Sequence, residues 1–358
     1  MNYINDYIKG GSTFTKEELI IFKNKLNYYK NLNYEKSKEI IIDNLVNDIN
    51  KFKTNGNIND ISISLSYNNN YINICNYINK SYDIASITKL FTLLLCLKLN
   101  ELNIINLNDK ISDIDENYIN LKKYKIIDLL KMKDELITKK RLTNSVDINY
   151  DLYNIYVNKI DYKYSDIGFI ILSKLLEKKL NLKYEDILYN YLLKDNNLLN
   201  TYYDTTKVND PKAHKLGVIG SAGLFTTNKD LYLLFNNLNN YLNKNSINIL
   251  TKNCNIHPKM GPLYQKYEDI SKTYVLPLYS NKMFASEGFT GCLTIFDLYN
   301  KLHTSILVDA INKETKIKDK NYNKYFNIYQ YNLLNNLIIL DCLSKYNEEN
   351  NLSKIIKI

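Results

Sequence analysis

Three observations predict an α+β fold for this chain of 358 residues. Ile61, Ile63, Leu65 and Tyr67 alternate with Ser62, Ser64 and Ser66, the period of a strand with one apolar face. A helical block follows, opening on the apolar run Leu90-Phe91-Thr92-Leu93-Leu94-Leu95. Strand signals return only towards the far end, at Leu293–Phe296 and Leu302–Val308, on either side of a turn at Tyr299-Asn300. Strands from both ends of the chain must then share one antiparallel sheet with flanking helices, and an all-helical lobe of residues 86–240 is inserted between them.

Each element can be read in order. Residues 1–34 are polar without clear periodicity, so an N-terminal extension is expected there. From Ser37 onward Ile41, Leu45, Ile49 and Phe52 recur at helical spacing until Asn55-Gly56 breaks the pattern. After the alternating strand, Asn68 to Asn70 turn the chain, and Ile72, Ile74 and Ile78 keep period two in a returning strand. Helices are expected over 86–99, 125–132, 166–179, 184–193 and 228–240. A last amphipathic helix is expected over 326–345, which gives one domain of residues 35–345 and a C-terminal tail of 346–358.

Composition narrows the function classes. Asn, Ile, Lys and Tyr dominate, with 33 Tyr, no Trp and Arg141 as the only arginine. These residues have AT-rich codons, so the skew reads as nucleotide bias. The net charge of +9 comes from lysines spread along the chain, and the runs Lys122-Lys123 and Lys139-Lys140-Arg141 are short. A chain almost without arginine lacks the fork that reads phosphate and guanine, so no nucleic-acid partner is expected. Cys75, Cys96, Cys254, Cys292 and Cys342 have no CxxC spacing, and neither a metal site nor a redox motif is implied. Cys96, inside the apolar helical run, reads as a small core residue. The first twenty residues hold no apolar signal region, and no run of eighteen apolar residues occurs, so no membrane span and a cytoplasmic location are expected.

Three segments carry the chemistry. Ser86-Ile87-Thr88-Lys89 opens the apolar helix, and a Ser and a Lys three apart share one helix face. A serine needs such a neighbour to become a nucleophile, and the helix N-terminus offers N–H groups where negative charge develops. Burial there is expected to lower the Lys89 pKa. Tyr164-Ser165-Asp166 stands before the helix that starts at Ile167, where a tyrosine can serve as a base if a cation such as Lys89 stabilises its oxygen. Ser286-Glu287-Gly288-Phe289-Thr290-Gly291 enters the late hairpin, and its two glycines fit a close backbone approach.

Taken together in this order, the three segments resemble those of the serine beta-lactamase and penicillin-binding-protein superfamily, on its class C beta-lactamase, DD-carboxypeptidase and esterase side. Tyr82 to Thr92 resembles the family's nucleophile segment, Tyr164 to Leu172 its second segment, Ala222 to Leu231 a stretch often written AGLFST-x-x-DL, and Gly288 to Gly291 its GFTG. The resemblance implies the beta-lactamase/transpeptidase-like fold and a serine hydrolase acting on an ester or amide through an acyl-enzyme. It implies Ser86 as nucleophile, Lys89 as its activating partner and Tyr164 as the base that also serves the leaving group. Asp166, Ser286, Gly288 and Cys292 would then bind substrate, with backbone N–H groups of Ser86 and of the strand near Cys292 as the oxyanion hole. No cofactor and no metal are needed, and the partner is a small-molecule or peptide substrate.

Three positions depart from the family's pattern. Asp166 stands where Asn is usual, and a carboxylate there favours protonated Lys89. Ser286 stands where His or Lys is usual, so a positive charge is lost; His257, Lys282 and His303 are the candidates to replace it. Leu129-Leu130-Lys131-Met132-Lys133-Asp134 stands where relatives often read LLTHTSG. These departures tilt the expectation from peptidase towards esterase. They also leave open a weakened relative that binds a peptide or glycan fragment without turnover, and an acyltransferase.

Overall fold

The computed structural model describes residues 16–67, 70–160, 162–251, 280, 283–311, 333, 335–344 and 354–357. Two helices open it, α1 (Lys16–Lys30) and α2 (Tyr34–Asn55). The expected loose extension is therefore helical from Lys16, because Phe22, Leu26 and Tyr29 recur at helical spacing and are buried against α2 and the sheet. Sequence reading missed this because the intervening Lys, Asn and Tyr blur the apolar stripe. Helix α2 buries Ile41, Leu45, Ile49 and Phe52, the stripe read from the sequence, and starts on an Asn33 side chain that accepts the Glu35 N–H at 3.0 Å.

Strands β1 (Ile61–Tyr67) and β2 (Asn70–Cys75) form the first hairpin, and the short β3 (Tyr82–Asp83) leads to the first helix of the lobe. Ile78 lies outside β2 and is exposed, so period two ends at Cys75. The lobe contains α3 (Thr88–Glu101), α4 (Ile126–Leu130), β4 (Glu135–Ile137), β5 (Tyr156–Asn158), α5 (Ile167–Leu180), α6 (Tyr184–Leu188), β6 (Tyr202–Tyr203), α7 (Pro211–Leu216), β7 (Leu224–Thr226) and α8 (Asn228–Tyr241). The helix expected over 184–193 changes to a π turn after Leu188. The lobe is thus not purely helical: β3, β7 and β6 make a small antiparallel sheet, and β4 pairs β5.

The chain then returns through β8 (Phe284–Glu287), β9 (Leu293–Asp297) and β10 (Leu302–Val308), and ends on β11 (Lys354–Lys357). The main sheet runs β11-β2-β1-β10-β9-β8. Its central pairing is antiparallel β1 against β10, Ile61 opposite Val308 and Tyr67 opposite Leu302, so strands from both ends do share one sheet. The expected C-terminal tail instead supplies β11, parallel to β2 with Ile356 opposite Ile74. Of the last helix, residues 335–344 are described and bury Ile338, Ile339 and Leu343; the remainder of 326–345, apart from Leu333, lies outside the described residues. No helix among the described residues is long and apolar enough to cross a membrane.

Strand β1 is buried on both faces, not one. Its isoleucines meet α2 and the C-terminal helix, while its serines enter a buried polar network under α8. Ser62 Oγ donates to Asn73 Oδ1 at 2.9 Å, Ser64 and Ser305 hydroxyls meet at 2.8 Å, and Asn228 Nδ2 donates to Ser62 Oγ at 2.7 Å. Ser305 in turn donates to Asn228 Oδ1. Small hydroxyls satisfied by one another can be buried at little cost, whereas unpaired ones cannot. Asn228 is the first residue of α8, so this network fixes where α8, and the β7 segment before it, cross the sheet. Asn228→Ala is expected to leave hydroxyls at Ser62 and Ser305 short of a partner and to cost about 2–3 kcal/mol. Urea unfolding of the variant measures this, and an unchanged midpoint would show that the network does not hold α8.

Candidate active site

The sequence places Ser86 at a helix start, and the structure sharpens this. Ala85–Ile87 form a 3₁₀ turn that runs into α3, with Ala85 in the left-handed region at φ 44°. The Asp83 carboxylate holds that turn: Oδ1 accepts the Ala85 N–H at 2.9 Å and Oδ2 accepts the Asn209 N–H at 2.7 Å. A non-glycine residue at positive φ carries strain, which persists only where surrounding bonds enforce it. Ser86 is left half-exposed while its neighbours are buried.

Lys89, one turn on, is fully buried at 0% exposure. Its Nζ lies 2.9 Å from Ser86 Oγ, 3.0 Å from Tyr164 Oη, 3.0 Å from the Ser221 carbonyl and 2.7 Å from Asp166 Oδ1. Tyr164 closes the triangle by donating to Ser86 Oγ at 2.7 Å. Burial pulls the Lys89 pKa down, but Asp166 and Tyr164 push it up further, and the ammonium ends above its ordinary value. The lowering expected from burial is therefore reversed, in the direction that the carboxylate at position 166 favours. Burial also pushes Asp166 up, yet Lys89 and Lys212 outweigh it and hold the carboxyl at about 2.

Backbone segments complete the mount. Leu224 N–H donates to Thr88 Oγ1 at 3.2 Å and Ile84 N–H to the Leu224 carbonyl at 3.1 Å, so the Ala222-Gly223-Leu224 stretch braces both sides of the Ser86 turn. Asp134 accepts the Ile160 N–H at 2.8 Å and pairs with Lys159 at 3.2 Å, and the Lys163 N–H reaches the Met132 carbonyl at 3.2 Å. The 131–134 loop, unusual against the resembled pattern, thereby anchors the segment that delivers Tyr164. The late hairpin also reaches the site: Thr290 Oγ1 donates to the Asp83 carbonyl at 2.7 Å, and a Cβ on Gly288 would stand 2.4 Å from the Ile84 carbonyl. Only glycine fits there.

Ser86, Lys89, Tyr164 and Asp166 thus meet as the sequence proposed. Ser286 is nearly buried at the end of β8, opposite Thr294. The Cys292 side chain faces inward, with Sγ 3.2 Å from the Val308 carbonyl and burial raising the thiol to about 12, so only its backbone is available to a ligand. Cys96 is likewise a buried core thiol, as read from the sequence. His303 does not replace the charge missing at 286: it is buried at 0% exposure, stacks on Phe235, contacts Thr294 at 3.1 Å, and burial lowers its pKa to about 3, leaving it neutral. His257, Lys282 and Cys254 lie outside the described residues.

No motif in the sequence points to Lys212. It stands in the first turn of α7, where Asp210 caps the helix by accepting the Lys212 and Ala213 N–H groups and Pro211 opens it. Its ammonium contacts Asp166 Oδ2, so both carboxylate oxygens of Asp166 are held by lysines. The Asp-Pro signal would have found the helix, but not which carboxylate its lysine meets.

Residues 79–308 match the family described as Beta-lactamase, and the chain belongs to that family of serine hydrolases. Among solved structures it is similar to a class C beta-lactamase (16% identity over 83% of this chain and 96% of that one, TM-score 0.60). It is also similar to a beta-lactamase from Sulfitobacter sp. EE-36 (12% identity, 84% and 98% covered, TM-score 0.60). A beta-lactamase/D-alanine carboxypeptidase from Pseudomonas syringae matches at 12% identity, 82% and 98% covered, with a TM-score of 0.60. At such identities these likenesses establish the fold, the beta-lactamase/transpeptidase arrangement expected from the sequence. No curated protein matches the chain.

Asp166→Asn tests the charge assignment. Removing the carboxylate leaves burial dominant, so the Lys89 ammonium is expected to lose its proton at a lower pH, read by NMR titration of lysine Nζ resonances. Because the Asp166 carboxyl titrates in the fold at about 2, below its ordinary 3.8, its contribution to stability is complete above 3.8 and fades as pH falls towards 2. Acid unfolding curves of the variant should lack that component; identical curves and titrations would remove the ion pair from the account.

Proposed function

We propose that the protein hydrolyses an ester or amide through an acyl-enzyme on Ser86, with an ester as the preferred substrate. The observation that carries this is the closed triangle of Ser86 Oγ, Lys89 Nζ and Tyr164 Oη, with sides of 2.9, 3.0 and 2.7 Å. Since Lys89 is held as an ammonium, it is the cation of the site and not the base. Tyr164, the phenol that donates to Ser86 Oγ, is the proposed base once its own proton has left to solvent: its oxygen, beside that cation, then takes the Ser86 proton while Oγ forms its bond to the carbonyl carbon. The phenol then returns the proton to the leaving oxygen or nitrogen as that bond breaks, and water repeats the sequence to release the acid. Backbone N–H groups of Ser86 and of the late strand near Cys292 are the proposed oxyanion donors, each worth about 3 kcal/mol of the barrier.

Esterase is favoured over peptidase because Ser286 supplies no charge and His303 is a neutral core residue. The same observation supports a second reading, a binder that no longer turns over.

Intact mass after incubation with a fluorophosphonate and, separately, a fluorescent penicillin separates the two. An adduct on the wild type that is absent from Ser86→Ala is expected, with the fluorophosphonate reacting faster. Tyr164→Phe is expected to slow labelling about 100-fold or more, the usual scale of acid–base assistance. No adduct from either probe would transfer the weight to the binder, and faster cleavage of a D-Ala-D-Ala peptide than of simple esters would overturn the esterase preference.

A further inference from the structure

Beside the nucleophile, an open cavity of about 560 Å³ is lined by Tyr164, Asp166, Lys212, Thr143, Thr138 and Arg141. That volume suits a small-molecule ligand. Two of its walls belong to the site already described, since Tyr164 touches Ser86 and Asp166 touches Lys89. Ser86 is not itself in the wall, but Tyr164, which touches it, is, and an arm of a substrate held at Ser86 can extend past Tyr164 into this cavity.

The charges of the wall are unbalanced. Asp166 is its one carboxylate, and that single charge is divided between Lys89 and Lys212. Asp210 lies 3.8 Å from Lys212 and offsets part of the surplus. Arg141 remains: it is exposed, and among the described residues no carboxylate pairs with it. Lys215, also cationic, holds the turn behind it by donating to the Thr143 carbonyl at 2.8 Å. This is the only arginine in a chain that otherwise uses lysine for every basic position. Guanidinium differs from ammonium in presenting a planar fork that binds a carboxylate through two parallel hydrogen bonds. Meanwhile the position where the resembled family carries His or Lys holds Ser286, which has no charge to offer.

We propose that the Arg141 side of this cavity is a subsite for a carboxylate on the substrate, so that the preferred substrates are esters or amides of an acid bearing a second, anionic carboxyl group. This rests on the acyl-enzyme reading above, and the test keeps the two apart. Lys212 contributes long-range positive potential there, and Arg141 supplies the direct fork.

The first arm measures kcat/KM for 4-nitrophenyl monoesters of adipic and suberic acid against 4-nitrophenyl hexanoate and octanoate. The dicarboxylic esters are expected to be favoured about 10-fold or more, the scale of one charge-assisted bidentate contact. The ratio should fall towards one in Arg141→Gln and only part of the way in Arg141→Lys. The second arm needs no turnover. Phenylglyoxal has a single arginine to modify, so its adduct is counted by intact mass, in Ser86→Ala as well as wild type. Adipic acid monoanilide should slow that modification and hexananilide should not. Equal rates for the paired esters, or a preference that survives in Arg141→Gln, would overturn the subsite, as would equal protection by the two anilides. Protection without hydrolysis of any ester would keep the subsite and reject the acyl-enzyme.

Discussion

A single buried ammonium organises this protein. Lys89 has no access to water, and an isolated charge in that position would cost far more than folding could recover. It is tolerated because three separate stretches of chain turn polar atoms onto it: the α3 start through Ser86, the α5 approach through Tyr164 and Asp166, and the β7 approach through the Ser221 carbonyl. Each of those stretches is in turn fixed by its own bonds, Asp83 to the Ala85 turn, Asp134 to the strand before Tyr164, and Asn228 to the serines of β1. Satisfying one charge thus sets the mutual positions of the main sheet and the lobe at the place where they meet.

Asp166 sets the character of this centre. A neutral amide would leave burial to lower the Lys89 pKa, whereas the carboxylate keeps the lysine protonated. Lys212 holds the other oxygen of that carboxylate, so two cations share its charge. The site therefore contains a lysine–carboxylate–lysine chain with Ser86 at one end and an open cavity at the other. Lys89, Lys212 and Arg141 carry the positive charge there, while Ser286 near the end of β8 is neutral.

The sheet repeats this logic without formal charges. The serine face of β1 is buried because its hydroxyls have partners on β2, β10 and α8. Alternation of apolar and small polar residues does not distinguish a wet face from a dry one with an internal hydrogen-bond network, and only the neighbouring strands tell which is present.

The sequence by itself determined the strands Ile61–Tyr67 and Leu302–Val308, the stripe of α2, the insertion of a lobe between sheet halves and the spacing of Ser86 and Lys89. Those features follow from periodicity and turn chemistry within a few residues, so they survive without knowledge of the remainder of the chain. It did not reveal α1, whose stripe is diluted by lysine and asparagine, nor β11, four residues that become a strand only beside β2. Tertiary structure alone decided that Asp166 and Tyr164 outweigh burial at Lys89, that His303 is neutral, that Lys212 meets Asp166 and that Arg141 faces the same cavity. Ionisation and pairing depend on distances between side chains remote in sequence and on the water excluded around them, and no local pattern encodes either quantity.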